Sequence, residues 1–428
     1  FDQYLSYKNL FLSFLIYRLL NIFFNQTWFV ADEYWQSQEV AHKLVFNYGY
    51  LTWEWKEGIR SYIYPLFIAV FYKLSQFCYL DNTKLLVYIS PVIHSVLTAV
   101  GDFYFIIYAK KSFGQKIAYL SCLCRLLSWY SIYTSSRSLA NNLEELFTIF
   151  SLNTLEYDTL RPNYTFFNIA GFFSFILRPT AAVNLVPIYC YQFFLLCNRH
   201  DLKIKFFLNF LIVGLITILF GIGIDSFYYE KFTISWWNFF IFNVQKNIGI
   251  HYGTHEFHWY FTQGYPTLLF LHLIIFAFGL KSFKILKFQL ITILFNILFY
   301  SHKEFRFLGQ VMPFTMIICA FGIQNINNFF GRNFAIKVAV VTGIGNVLLA
   351  LFLGLLHQRA PITIMNYLRD SNLNETEKLL FLTPCHSTPF YSYLHKNISL
   401  NFLTCEPNLE NLSDYKDQAD RFYENTFK

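Results

Sequence analysis

The sequence predicts an all-α polytopic membrane protein, on three observations. Of its 428 residues, 55% are hydrophobic and only 14% charged, where a soluble domain carries about 25% charged residues. Apolar runs long enough to cross a hydrocarbon core, which takes roughly 17 to 25 residues, recur along most of the chain. Basic clusters alternate between those runs with acidic and aromatic loops, the asymmetry that orients a chain in a bilayer. The net charge of +7 is spent on these topology signals, so no nucleic-acid partner is expected.

Candidate spans lie near 8–24, 62–80, 85–109, 116–134, 139–158, 163–177, 180–197, 206–224, 265–280, 287–300, 307–323 and 334–356. The clusters RHDLKIK (199–205), KSFKILK (281–287) and GRNFAIK (331–337) mark cytoplasmic loops. Counting outward from them places 25–61, 225–264, the short loop at 301–306 and the segment 357–428 on the opposite, luminal side. Twelve crossings from a cytoplasmic N-terminus would return the tail to the cytoplasm, so one candidate between 62 and 177 does not fully cross, leaving about 11. The expected organisation is a membrane body over 1–356 and a luminal C-terminal region over 357–428. In that region Asn374, Asn397 and Asn411 head glycosylation sequons, and Cys385 and Cys405 are a candidate disulfide in an oxidising compartment. The chain starts at Phe1 rather than Met, so residues ahead of it are expected.

The stretch WFVADEYWQSQEVAHKLVFNYGYLTWEW (28–55) sets Asp32 and Glu33 side by side where the first span ends. Apolar Tyr34, Trp35, Val40, Ala41, Leu44 and Val45 predict an amphipathic helix lying on the interface, broken at Gly49. A carboxylate pinned at the membrane surface loses solvation, which suits it to general-base work on lipid-borne reactants. The plainer alternative is that the pair caps the interfacial helix. Composition leaves both open.

A second constellation is SHKEFRFLGQVMP (301–313), in which His302, Lys303 and Arg306 place three potential cations within five residues, with Glu304 among them to orient one. Such a group holds an anionic phosphate, Arg by forked hydrogen bonds and Lys as a point charge. The alternative, a cytoplasmic topology anchor, is opposed by KSFKILK, which claims that side one span earlier. In YGTHEFHWYFTQGYP (252–266), His255 and His258, with His251 just before them, are loosely spaced for a metal and do not form H-E-x-x-H. His258, Trp259 and Tyr260 suit a sugar or headgroup surface, or an aromatic belt at the interface. Arg137, Glu144, Glu145 and Arg178 stand in or beside spans, where ionisable groups mark either function or mutual pairing. Arg178 interrupts an apolar run at RPTA, and Arg137 with Glu144 is the structural pairing to weigh.

The segments DEYWQSQEV, RSYIYPL, SRSLANNLEE, LRPTA, YGTHEFHWYFTQGYP and HKEFRFL, in this order and spacing, resemble the eukaryotic mannosyltransferases that use dolichol-phosphate-mannose, members of the GT-C class of polytopic glycosyltransferases. The resemblance covers nearly the whole membrane body, and H-K-E-x-R-F is its most specific element. Within that family, NYGYLTWEW, LLHQRAPITIMNYL and FLTPCHSTPFYSYLHKNISLNFLTCEP are similar to the branch that adds the third mannose of the glycosylphosphatidylinositol (GPI) anchor, GPI mannosyltransferase III. HEFHWY departs from the family, with Glu256 and Phe257 where Pro and Trp are common.

The resemblance implies a GT-C fold in the endoplasmic reticulum membrane with a luminal site. It implies inverting transfer of mannose from dolichol-phosphate-mannose to the 2-hydroxyl of the second mannose of a GPI precursor, giving an α1,2 link. Asp32 becomes the expected base, with Glu33 orienting it or the acceptor. His302, Lys303 and Arg306 become the donor-phosphate ligands, with Arg178 and Arg137 in reserve and Arg60 as a further substrate contact. Positive side chains then replace a divalent metal, so no metal or other cofactor is expected, and the partners are the two lipid substrates and the surrounding bilayer. The alternatives are a sibling transferase acting on the N-glycan precursor or adding the fourth GPI mannose, and a polytopic transporter, which would favour broken helices and repeated halves.

Overall fold

The computed structural model describes residues 7–155, 163–246, 248, 253–300, 302–374, 376–409 and 412–425; Asn411 and His251 lie outside them. Its helices follow the apolar runs closely. α1 (Tyr7–Asn21) leads into the first long loop, which carries α2 (Glu39–Phe46) and α3 (Trp53–Lys56). The body continues with α4 (Ile63–Phe77), α5 (Thr83–Phe113), α6 (Gln115–Leu126), α7 (Trp129–Thr134), α8 (Ala140–Thr154), α9 (Tyr164–Leu177), α10 (Ala181–Leu195) and α11 (His200–Tyr228). After α12 (Ser235–Phe240) come α13 (Tyr265–Leu269), α14 (His272–Gly279), α15 (Lys287–Phe299), α16 (Met312–Phe330) and α17 (Arg332–Leu355). The C-terminal region holds α18 (Ala360–Asp370), β1 (Lys378–Phe381), α19 (Tyr391–Leu394), β2 (Ser399–Phe402) and α20 (Gln418–Glu424).

Two expected spans are broken. The run 116–134 divides into α6 and α7 at Leu127 and Ser128. The run 265–280 divides into α13 and α14, bent by 111°, at Phe270, whose φ of 47° no α-helix accommodates. By length and composition, four helices among the described residues are able to cross a membrane: Lys84–Phe113, His200–Tyr228, Phe305–Phe330 and Arg332–Leu355. The bent pair would add a fifth, and α4, α9, α10 and α15 are shorter apolar helices. α16 is enclosed by its neighbours, whereas α11 and α17 turn Leu211, Leu215, Leu219, Val341, Ile344 and Leu348 outward. Apolar surface of that kind is covered by lipid chains in a membrane protein.

Charges inside the body are paired. Asp102 of α5 accepts from Arg18 of α1 and Arg125 of α6, both at 2.6 Å, and Arg125 also bonds Glu145 of α8. Buried charge in hydrocarbon is tolerated only in such company, and this chain of contacts locks four helices together.

The first loop departs from expectation. The stretch from Tyr34 to Ala41 does not lie on an interface: the C-terminal region covers Trp35 and Glu39, while Val40 packs on Trp55 and Tyr62 and Ala41 on Tyr64 and Ile68 of α4. The Glu39 carboxylate accepts from the backbone N–H groups of Phe390 (2.7 Å), Tyr391 (3.0 Å) and Ser392 (3.2 Å) and from the Ser392 hydroxyl (2.6 Å). The helix ends at Phe46, with Asn47 in the left-handed region at φ 64°, ahead of the expected break at Gly49. In the C-terminal region β1 and β2 pair in parallel, Cys385 and Cys405 are bonded with Cα atoms 5.9 Å apart, and Asn374 and Asn397 are exposed.

Glu39→Ala orphans three buried N–H groups at about 1–3 kcal/mol each, so the C-terminal region should undock. Limited trypsin digestion should cut faster after Lys378 and Lys396 while the membrane body keeps its wild-type cleavage rate. Unchanged cutting would show that Glu39 does not hold the tail.

Candidate active site

Adjacent residues on a helix project about 100° apart, and this separates the two carboxylates. Glu33, 5% exposed, turns into the body, where its Oε2 lies 2.9 Å from Arg137 Nη1. Arg137 is otherwise held by the carbonyls of Thr27 (2.7 Å) and Tyr133 (2.9 Å). Burial raises the Glu33 carboxyl above the usual carboxylate range, with Arg137 opposing. Glu33 makes no capping hydrogen bond. The expected role of Glu33 as a group orienting the acceptor is therefore corrected, as is a substrate contact for Arg137: the two satisfy each other inside the protein. Glu144, the pairing first weighed for Arg137, instead lies 3.6 Å from Arg178.

Asp32 faces the other way, into a cavity of about 1300 Å³. A π-helical turn over Tyr34–Gln38 follows it and places Gln36 on the same wall. Asp32 is bonded by Arg306 Nη1, and the same guanidinium forks onto Glu304 through Nε (2.6 Å) and Nη2 (2.8 Å). Three of the five Arg306 donors are thus committed to carboxylates, which makes Arg306 the group that positions Asp32 rather than the phosphate ligand first expected.

Glu304 is further held by His302, whose Nε2 lies 3.1 Å from Oε1 while Nδ1 donates to the Gly253 carbonyl at 2.9 Å. With an acceptor facing each nitrogen, the protonated ring is favoured: the Glu304 contact raises the His302 pKa against the effect of burial. Burial alone would raise Glu304, but Arg306 and His302 together hold it well below the carboxylate range.

The same cavity collects Arg178, Lys303, Arg60 and His255. Arg178 donates through Nη1 to Asn141 at 2.5 Å, and among the described residues its Nη2 has no hydrogen-bond partner. Lys303 donates to the His255 carbonyl at 3.2 Å. Arg60 forks onto Glu54 (Nε 3.1 Å, Nη2 2.5 Å), and Gln36 donates to the same carboxylate at 3.1 Å. Trp53, Trp236, Trp237, Phe239, Phe240 and Phe242 supply an aromatic wall.

The surface expected from His258, Trp259 and Tyr260 is not part of this cavity. Tyr260 is fully buried, its hydroxyl donating to the Glu304 carbonyl (3.0 Å) and accepting from the Glu304 N–H (3.1 Å). It therefore supports the 302–306 loop. Trp259 stacks on His255 at 4.3 Å, and His258 is exposed. Several contributors to the cavity went unassigned from sequence, among them Glu54, Gln36, the aromatic wall and the Cys385, His386, Cys405 group from the C-terminal region. Glu54 had a signal, because it stands in LTWEW six residues before Arg60. The last came from a segment whose place in space no local pattern reveals.

The Alg9-like mannosyltransferase family matches residues 9–395. The chain belongs to this family. It is 38% identical over 97% of its length to GPI mannosyltransferase 3 of Drosophila melanogaster, covering 75% of that protein. It is 37% identical over 95% of its length to GPI alpha-1,2-mannosyltransferase 3 of Homo sapiens, covering 74%, and 33% identical over 98% to mannosyltransferase APTG1 of Arabidopsis thaliana, covering 81%. The fold is that of ArnT from Cupriavidus metallidurans bound to undecaprenyl phosphate, with a TM-score of 0.60, 10% identity, and coverage of 91% of this chain and 85% of that one. A GT-C fold and a multi-pass membrane body follow, as the sequence led one to expect.

Because the folded His302 keeps its proton above the ordinary imidazole value of 6.5, its pairing with Glu304 is fully present below that pH and is lost as pH rises through the raised pKa. Thermal melts of the purified Alg9-like chain should show Tm falling along that alkaline limb, and His302→Gln should remove the limb. A wild-type Tm that is flat there would contradict the pairing.

Proposed function

We propose that this chain transfers mannose from dolichol-phosphate-mannose to the 2-hydroxyl of the second mannose of a GPI precursor, in the endoplasmic reticulum membrane with its site facing the lumen. The observation that carries the reading is a carboxylate, Asp32, facing a cavity whose wall also presents Arg178 and Lys303. That is the polarity an in-line displacement on a sugar phosphate needs: a proton acceptor for the attacking hydroxyl and positive charge for the departing phosphate. Membership of a mannosyltransferase family whose relatives are named for the third GPI mannose supports the acceptor.

Asp32, held by Arg306 through one oxygen, takes the proton of the acceptor hydroxyl on the other. The freed oxygen attacks the anomeric carbon of the donor mannose as its bond to the phosphate oxygen breaks, and a β-linked donor gives an α-linked product. Dolichol phosphate leaves with the bonding electrons, and Lys303 and Arg178 stabilise its negative charge. Side-chain cations carry that load, so the reaction needs no metal. The aromatic wall and the Glu54–Arg60 pair are left to hold sugar and headgroup surfaces. Both lipids keep their tails in the bilayer.

The test is transfer from dolichol-phosphate-mannose to a two-mannose GPI precursor in membranes, with chelator present. Wild type should give the α1,2-linked three-mannose product. Asp32→Asn should lose roughly 10²–10⁴-fold in rate, the usual worth of a general base. Arg178→Gln should raise the donor KM with lower kcat, since its charge acts on the leaving group. Transfer to a different glycan by the wild type would reassign the acceptor, and full activity in Asp32→Asn would remove Asp32 as the base.

A further inference from the structure

The C-terminal region brings one imidazole to the cavity that the displacement described above does not use. His386 lines the same space as Asp32. Its backbone is left-handed at φ 56°, a region that His enters more readily than most side chains. The surroundings hold it there from several directions. Its neighbour Cys385 is bonded to Cys405. Two residues on, the Thr388 carbonyl accepts from Trp35 Nε1 at 3.1 Å, and beyond that Glu39 grips the N–H groups of residues 390–392.

The ring itself packs on Trp35 (4.9 Å between centroids) and Phe402 (5.5 Å), with Nδ1 3.8 Å from Cys405 Sγ. Among the described residues Nε2 has no hydrogen-bond partner. Burial pushes the His386 pKa down to about 4, with the Asp32 charge opposing, so at neutral pH the ring is uncharged and brings one donor and one acceptor. A neutral imidazole brings no positive charge to a phosphate, for which the cavity has Arg178 and Lys303. Beside Trp35, Gln36 and Glu54 it suits sugar hydroxyls. As a bonded pair, Cys385 and Cys405 offer no thiolate, although with His386 their ligand atoms lie within 4.8 Å of one another.

We propose that His386 is an acceptor-recognition residue whose Nε2 hydrogen-bonds a hydroxyl of the incoming glycan, and that the Cys385–Cys405 bond serves to hold it on the cavity wall. The inference rests on the transferase reading above and deepens it: the C-terminal region supplies part of the acceptor subsite.

The experiment uses the purified full chain in lipid nanodiscs, with initial rates measured against synthetic two-mannose glucosaminyl-phosphatidylinositol and, separately, against dolichol-phosphate-mannose. His386→Phe keeps the ring packed on Trp35 while removing both nitrogens. It should raise the acceptor KM about tenfold, the effect of one lost hydrogen bond, and leave the donor KM unchanged. His386→Gln, which keeps a donor and an acceptor, should recover much of that loss. The Cys385→Ser, Cys405→Ser double variant should show the same rise in acceptor KM at matched Tm.

A wild-type acceptor KM in His386→Phe would overturn the proposal and make the ring packing only, and so would an equal rise in both KM values. Loss of wild-type activity to a chelator, matched by the cysteine variant, would overturn it in favour of a metal held by the three side chains. If wild type instead uses a three-mannose or N-glycan precursor, the proposed acceptor is wrong while His386 is judged by the same ratio on the glycan used. Transfer to none of these overturns both.

Discussion

A single guanidinium, that of Arg306, ties the first loop to the loop before α16. Its planar fork takes both oxygens of Glu304, and the remaining edge takes Asp32. Arginine does this where lysine would not, because its donors are fixed in a plane and it stays charged at any accessible pH. Taking three charges out of water offsets most of their mutual attraction, so what the triad supplies is position. One Asp32 oxygen is committed, the other faces the cavity, and the segment carrying Asp32 cannot drift from the one carrying Lys303. His302 and Tyr260 hold Glu304 from behind, which extends the same constraint into the loop at 253–260.

Around this triad the protein sorts its charges into two populations. Those inside the body pair completely, as Arg18 and Arg125 do on Asp102 or Arg137 does on Glu33. Those at the cavity are held but not used up. Arg178 spends one hydrogen bond on Asn141 and keeps Glu144 at 3.6 Å. A site that must receive a phosphate and a sugar needs donors oriented before the substrate arrives, since reorganising them during the reaction would cost part of the stabilisation they provide. Partial commitment of this kind is how buried arginines stay both soluble in the protein and available to a ligand.

Much of this was legible. The apolar runs placed α1, α4, α5, α8, α9, α10, α15 and α17 to within a few residues, because in hydrocarbon the backbone has no alternative to the helix. The breaks at Leu127–Ser128 and Phe270 were not legible, since each depends on the backbone angles of one or two residues within a run of spanning length. The amphipathic pattern of Tyr34 to Val45 was read correctly as a helix and wrongly as an interfacial one. Its apolar residues meet protein and not lipid: Tyr34 and Trp35 pack on Ile362, Met365 and Phe390 of the C-terminal region, and Ala41 and Val45 on Tyr64 and Ile68 of α4. Periodicity reports that a face is covered and is silent about what covers it.

The sequence by itself determined the class of molecule, the family, and the three short motifs from which Asp32, Arg178 and Lys303 come, because length, hydropathy and residue type are local properties. Only the tertiary structure decided which groups within those motifs meet. It sent Asp32 to the cavity and Glu33 to Arg137, gave Arg306 to the carboxylates, set Lys303 and Arg178 on the cavity wall, and brought His386 from the C-terminal region to the same wall. The physical reason is the 100° step between neighbouring helical residues: two adjacent carboxylates are equivalent in a sequence, but on a helix with a cavity on one side and a packed body on the other they cannot share a fate.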